Sequence, residues 1–171
     1  MKKKAVLVIA ERTFRDEEYL VPKDLLARAG VEVVTASTTA GEAVGKLGHK
    51  VRPDILISQV KAEDYDALVF VGGGGAAQYF ADETAHQLAR DFVHAGKVVA
   101  AICIAPVILA RAGVLRGKRA TVFPDGVPEL KKAGAIYTAQ RVERDGRIIT
   151  GNGPEAAEAF GQEILGQLRQ D

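Results

Sequence analysis

The sequence predicts an α/β protein: an open, largely parallel sheet covered by helices on both faces. Three observations carry this expectation. Short apolar runs alternate with longer segments of helical spacing along the whole chain. The runs are apolar throughout rather than at every second residue, which marks strands buried on both faces. Several helical segments stop at a glycine, the residue that best accepts the left-handed turn after a helix.

In order, "KAVLVIA" (4–10) is the first buried strand. "DEEYLVPKDLLARAG" (16–30) places Leu20, Leu25, Leu26 and Ala29 near helical spacing and stops at Gly30. "VEVVTAS" (31–37) completes a βαβ opening. Residues 38–64 read as a small excursion, with Gly41, Gly45, Gly48 and Pro53 as turn signals. "ALVFV" (67–71) returns to buried strand, and "GGGGAAQYF" is a loop. "DETAHQLARDFVHAG" (82–96) opens acidic and closes on Gly96, a helix. "KVVAAI" (97–102) is a strand, "APVILARAGVL" (105–115) a helix and "RATVF" (119–123) a short strand. "GVPELKKAGA" (126–135) is a helix stopping at Gly134. "IYTAQRVERDGRIITGNG" (136–153) gives two strands around an Asp145-Gly146 turn, and "PEAAEAFGQEILGQLRQ" (154–170) a final helix with Pro154 in its first turn.

The 171 residues fit one domain, 1–171, large enough to bury a core without disulfides or metals. With 47% hydrophobic and 26% charged residues the composition is that of an ordinary soluble globule. Lys+Arg 23 against Asp+Glu 22 leaves a net charge of +1, no footprint for nucleic acid or an acidic membrane. One cysteine cannot form an internal disulfide, and no Cys/His cluster has zinc spacing, so a reducing, cytoplasmic setting with no metal or cofactor is expected. The start "MKKKAVLVIAER" has a basic front, but its apolar run is broken by Glu11 and Arg12, too soon for a signal peptide. No segment approaches a membrane span.

In an open parallel sheet, sites lie at the carboxyl ends of strands near a topological switch point. The loops after 5–10, 67–71 and 97–102 qualify. The last holds the only cysteine, Cys103, within "VVAAICIAPVIL" (98–109). The run by itself leaves inert core open, since free cysteine is among the most buried residue types. The context argues for presentation. A strand hands over to a helix with almost no loop, which strains the central residue and projects it above the sheet. Ala101 and Ala105 are the small flanking residues such a turn needs, and Pro106 suits the first helical turn. The helix N-terminus would lower the pKa of Cys103, and the Ile104 amide would face an oxyanion on an attacked carbonyl.

These residues resemble the cysteine elbow of the ThiJ/PfpI family, also called the DJ-one superfamily, whose form is A-I-C-x-G/A-P followed by a leucine-rich helix and "GVLRGR" or "GVLKGK"; here the chain reads "AAICIAPVILARAGVLRGKRAT". The resemblance covers nearly the whole chain. "FRDEEYLVPKDLLARAGVEV" resembles "FED-x-E…P…L…AG-x-x-V", "YDALVFVGGGG" resembles "FDALVLPGG", and "VERDGRIITGNGP" resembles "VVDG-x-x-VTSRGP". It implies a flavodoxin-like three-layer sandwich (the class I glutamine amidotransferase-like fold) with a cysteine nucleophile elbow. It implies a homo-oligomer, dimer or hexamer. It implies that Glu18, on the helix after the first strand, reaches Cys103 and tunes its pKa and its oxidation to sulfinic acid. The residue-level alternative for Glu18 is a solvated first-turn charge, and Asp16 and Glu17 leave the register open by one. Gly72 and Gly73 match the family's glycine pair, with the Gly73 amide as second oxyanion donor beside Ile104. The "GGGG" run lacks the Lys-Ser/Thr and the spacing of phosphate-binding loops.

The chain also departs from the family. Ile104 stands where PfpI-type members carry His, and Phe123 precedes Pro124 where others carry His. Val71 replaces the proline before the glycine pair, and "GNGP" (151–154) lacks the arginine of "SRGP". His49, His86 and His94 read as surface residues. Without a Cys-His pair, peptidase or amidase chemistry is the least supported of the family's activities. The first functional expectation is a cysteine-centred stress protein acting on small reactive carbonyls or glycated adducts through Cys103. The alternative is a non-enzymatic redox-responsive protein or chaperone in which Cys103 is oxidised. A nucleotide-binding module is the weakest reading, since no glycine motif fits.

Overall fold

The structure, a computed structural model, describes residues 2–170. The continuous apolar runs become the core of a seven-stranded sheet. In chain order the strands and helices are β1 (Lys4–Val8), β2 (Arg12–Phe14), α1 (Asp16–Arg28), β3 (Glu32–Ser37), β4 (Ala43–Gly45), β5 (Lys50–Val51), β6 (Ile55–Leu56), β7 (Ala67–Phe70), α2 (Glu83–His94), β8 (Val98–Ile102), α3 (Pro106–Arg111), β9 (Arg119–Ala120), α4 (Val127–Lys132), β10 (Ile136–Tyr137), β11 (Val142–Asp145), β12 (Ile148–Gly151) and α5 (Ala157–Leu168). The sheet runs β11-β12-β8-β7-β1-β3-β6, parallel except for the β11–β12 hairpin. Strands β1, β7 and β8 are buried along almost their whole length because helices cover both faces: α1 packs with α5, and α2 with α3.

The order in the sheet positions the site. From β1 the chain steps outward through β3 to β6, then returns to β7 on the other side of β1. The topological switch therefore lies between β1 and β7, where a crevice opens above their carboxyl ends. The α1, β7 and β8 connections all empty into it. Helix α1 carries Pro22 in its interior, yet it keeps its path because it lies close against α5: a Cβ on Gly161 would stand 3.4 Å from Pro22 Cα. The three-layer sandwich with its cysteine elbow thus matches the expected fold.

Four elements differ from expectation. Residues 38–64 hold β4, β5 and β6, and β4 and β5 join β2 in a small second sheet that the isolated turn signals did not disclose. The "GGGGAAQYF" loop contains a 3-10 turn over Gly74–Tyr79. The helix expected over 105–115 is shorter, Pro106–Arg111, because Gly113 turns left-handed at φ 85°. The strand expected over 119–123 pairs only as Arg119–Ala120, with β10 outside the main sheet. Among the described residues, no helix is long and apolar enough to cross a membrane.

Candidate functional site

Cys103 follows β8 directly and has φ 65°, left-handed geometry that a non-glycine residue adopts at a cost of about 1–2 kcal/mol. The strain is held by bonds on both sides. The Cys103 amide donates to Gly151 O (2.9 Å), and its carbonyl accepts from the Phe123 amide (2.8 Å). The elbow is therefore clamped between β12 and the segment after β9, and the sulfur is held above the sheet, partly exposed. The amides of Gly73 and Ile104 lie near enough to that sulfur to favour its charged form, though neither makes a hydrogen bond of full geometry to it. Gly73 takes φ 96°, an angle that disfavours any side chain.

The three acidic residues at the start of α1 separate into three roles, which the sequence left open. Asp16, 5% exposed, turns away from the cysteine and accepts the amides of Leu47 (2.8 Å) and His49 (2.9 Å). A Cβ on Gly45 would come within 2.6 Å of the same carboxylate, so the turn after β4 is packed onto it. Glu17 takes a two-pronged hydrogen bond from Arg15 (2.9 and 3.0 Å). Glu18 is 0% exposed and faces Cys103 and the Gly72 amide, but neither of its oxygens makes a hydrogen bond of full geometry. Replacing Asp16 by alanine strands two amides, so the variant should lose about 2 to 3 kcal/mol in urea unfolding, the usual cost of removing a charged acceptor; a parental midpoint would refute the clamp.

Burial dominates the ionisation of the pair. It pushes the Glu18 carboxyl up to about 7, opposed by the groups that donate toward it. It pushes the Cys103 thiol up to about 12, reinforced by the Glu18 charge and opposed by the Gly73 and Ile104 amides. This corrects the expectation of a thiol lowered by the helix N-terminus. Helix α3 has six residues, too few for a large dipole, and it cannot offset burial beside a carboxylate. The two groups act as one unit. The unit holds two protons below about pH 7 and one between about 7 and 12. In the one-proton state the proton rests mainly on sulfur, beside the Glu18 carboxylate; its transfer to the carboxyl gives a minor form of the same net charge, which the two amides help to stabilise.

Above the pair lies a pocket of about 610 Å³. Its walls include Phe80, Ile104, Phe123 and Asn152 and the charged residues Arg15, Lys46, Asp125 and Glu155. No histidine lines it. His86 is not the surface residue expected: it is 8% exposed because its Nε2 bonds the Phe80 carbonyl (2.9 Å) from the inner face of α2. His49 and His94 are exposed, as expected. The sequence reading missed Arg15 and Lys46, whose convergence depends on the second sheet. The quoted motif held one signal, since "FRD" stands where the family pattern has "FED". Among the described residues, no group of three His, Cys, Asp or Glu could hold a metal ion.

The profile of the DJ-1/PfpI family matches residues 3–167. The chain belongs to that family. An uncharacterized protein of Methanocaldococcus jannaschii is 44% identical over 171 residues, covering 98% of this chain and 83% of that one. Protein/nucleic acid deglycase 2 of Escherichia coli is 37% identical over 167 residues, 96% of each. Among solved structures, a ThiJ/PfpI domain protein from Brachyspira murdochii superposes with a TM-score of 0.97 at 32% identity, over 100% of this chain and 99% of that one. Within the DJ-1/PfpI family, this chain combines the cysteine elbow with an isoleucine beside it and an arginine in the first-strand loop.

Proposed function

We propose that this DJ-1/PfpI protein converts small reactive carbonyl compounds, of which methylglyoxal is the simplest dicarbonyl, through covalent addition to Cys103. One observation carries the reading: a strained, pocket-lining cysteine with two backbone amides near its sulfur, a protonatable carboxyl beneath it and no histidine around it. The names of relatives, such as the deglycases of Escherichia coli and Pyrococcus horikoshii, support it.

The chemistry balances without an outside oxidant. The thiolate adds to the aldehyde carbon, a C–S bond forms and the C=O π pair moves to oxygen. That oxyanion lies within reach of the Gly73 and Ile104 amides and takes the proton of Glu18. The Glu18 carboxylate then removes the hydrogen of the hemithioacetal carbon as a proton, and the adjacent ketone carbon gains one. The aldehyde carbon is oxidised and the ketone carbon reduced within one molecule. Water displaces the thiol from the thioester and leaves a 2-hydroxy acid. Amide cleavage would further require protonation of a leaving amine, for which the pocket offers no imidazole. Cys103→Ser should abolish methylglyoxal consumption while leaving thermal unfolding close to parental. Unchanged turnover in that variant would sink the proposal.

A further inference from the structure

A non-glycine residue keeps a left-handed φ such as the 65° of Cys103 only where its surroundings fix it. Here the Cys103 amide is held by the Gly151 carbonyl (2.9 Å) and the Cys103 carbonyl by the Phe123 amide (2.8 Å). Those two walls need holding in their turn. Gly151 is the last residue of β12, where it pairs with Val142 on one side and Ile102 on the other. Residues 152–155 then leave the sheet as a turn before α5, so strand pairing does not hold them. All four line the pocket over Cys103.

The residues just before β11 supply what the sheet does not. The Arg141 carbonyl accepts from the Asn152 amide (2.9 Å), and the Arg141 guanidinium donates through Nη2 to the Glu155 carbonyl (2.5 Å). One residue grips both the first and the last residue of the turn. Its neighbour reaches the other wall. The Gln140 carbonyl accepts from Thr121 Oγ1 (2.6 Å), and the Thr121 amide donates to Thr150 Oγ1 on β12 (2.9 Å). Thr121 lies two residues before Phe123, whose amide holds the Cys103 carbonyl. Gln140 and Arg141 therefore stand behind both walls of the elbow, although neither lines the pocket. A charged donor makes one of the stronger hydrogen bonds, and the planar guanidinium loses little freedom in making it.

We propose that Arg141 is a positioning residue for Cys103: by closing the 152–155 turn it fixes Gly151, and through Gly151 the strained backbone and the sulfur of the elbow. Small displacements of a reacting atom are costly in rate, and the groups that hold it in place carry that cost when they are removed. The inference rests on Cys103 being the reacting group, as in the function proposed above, and not on any one carbonyl substrate. The test therefore reads the backbone and the thiol directly. Arg141→Met keeps the length of the side chain and the carbonyl on Asn152, and removes the donor to Glu155. Arg141→Lys restores a charged donor. Arg144→Gln is the control for a general loss of stability, since Arg144 lies on the same hairpin but pairs with Glu163 on α5 (3.6 Å).

In Arg141→Met the amides of Asn152 and Cys103 should exchange hydrogen about tenfold faster or more, relative to the amide of Val99, as expected when a bond from a charged donor is lost locally. Val99 is the internal reference because it bonds the Arg147 carbonyl at the far end of the same strand pair (3.0 Å). Alkylation of Cys103, the single thiol, by iodoacetamide at pH 9 should fall about threefold to tenfold. Arg141→Lys should recover at least about half of both effects, since its ammonium is again a charged donor, and Arg144→Gln should show neither. Slower alkylation with unchanged exchange would mean that only the positive charge of Arg141 acts on the thiol. That result, equal acceleration of all three amides, unchanged or faster alkylation in Arg141→Met, or the same effects in Arg144→Gln would overturn the inference. If exchange and alkylation respond as expected but Cys103→Ser still consumes methylglyoxal, the function proposed above fails and the role of Arg141 stands.

Discussion

Alanine at Gly72, Gly73 or Gly75 is expected to destabilise the protein by about 3 kcal/mol or more each, as overpacking against immobile backbone does, while alanine at Gly74 leaves it unchanged. The four glycines form one run, so composition does not distinguish them. Their surroundings do. A Cβ on Gly72 would press on Glu18 Oε1, 2.5 Å from the Ile102 carbonyl and 2.6 Å from Cys103 Cβ. Ile102 is the last residue of a fully buried strand and cannot retreat. A Cβ on Gly73 would press on the Arg15 amide and stand 2.6 Å from the Thr13 carbonyl, at a φ of 96° that also disfavours any side chain. A Cβ on Gly75 would overlap the Arg12 carbonyl. Gly74 has open space and an ordinary φ. The run is thus a packing device: it lets the β7 loop lie against both the first-strand loop and the elbow. Urea midpoints of the four single variants check this pattern, and a stable Gly72→Ala protein would contradict it.

Much of the fold was legible because burial on both faces leaves a plain mark. Strands β1, β7 and β8 read as unbroken apolar runs, and the handover from Ile102 to Pro106 through small residues read as an elbow. The second sheet was not legible. Its strands β2, β4 and β5 are two or three residues long and partly exposed, so no periodicity accumulates. That sheet places Lys46 directly after β4 and Arg15 directly after β2, so these two pocket residues were invisible with it. The role of Glu18 came from resemblance; its neighbours Asp16 and Glu17 have the same charge, and only burial separates the three. The direction of the thiol's ionisation was misjudged for a related reason. The strand-to-helix turn was visible in the sequence, but the depth at which Glu18 is enclosed beneath the sulfur was not, and that depth decides the sign.

Glu18→Gln should flatten a pH dependence of stability that the parent shows between pH 5 and 8. In the unfolded chain the carboxyl titrates at its ordinary 4.5, and in the folded protein near 7. The native state therefore binds this proton more tightly. Its advantage is complete below pH 4.5 and is lost as the pH rises through 7, where folding must bury a charge. Over pH 5 to 8 the linkage amounts to about 2 to 3 kcal/mol lost by the parent and absent from the variant. Urea unfolding at the two pH values measures it, and equal pH slopes for the two proteins would refute the raised carboxyl. The same substitution reads the charge that Glu18 places on the thiol. In the parent the carboxyl gives up its proton near pH 7, and its charge then adds to burial in holding the Cys103 thiol up at about 12. In the variant that charge is absent and burial alone raises the thiol. Alkylation of Cys103 by iodoacetamide above pH 8 should therefore be faster in Glu18→Gln than in the parent, by about tenfold for each unit of pKa released, while methylglyoxal consumption falls because the amide carries no proton to give or take. A variant that alkylates more slowly than the parent would mean that Glu18 supplies the thiolate rather than suppressing it.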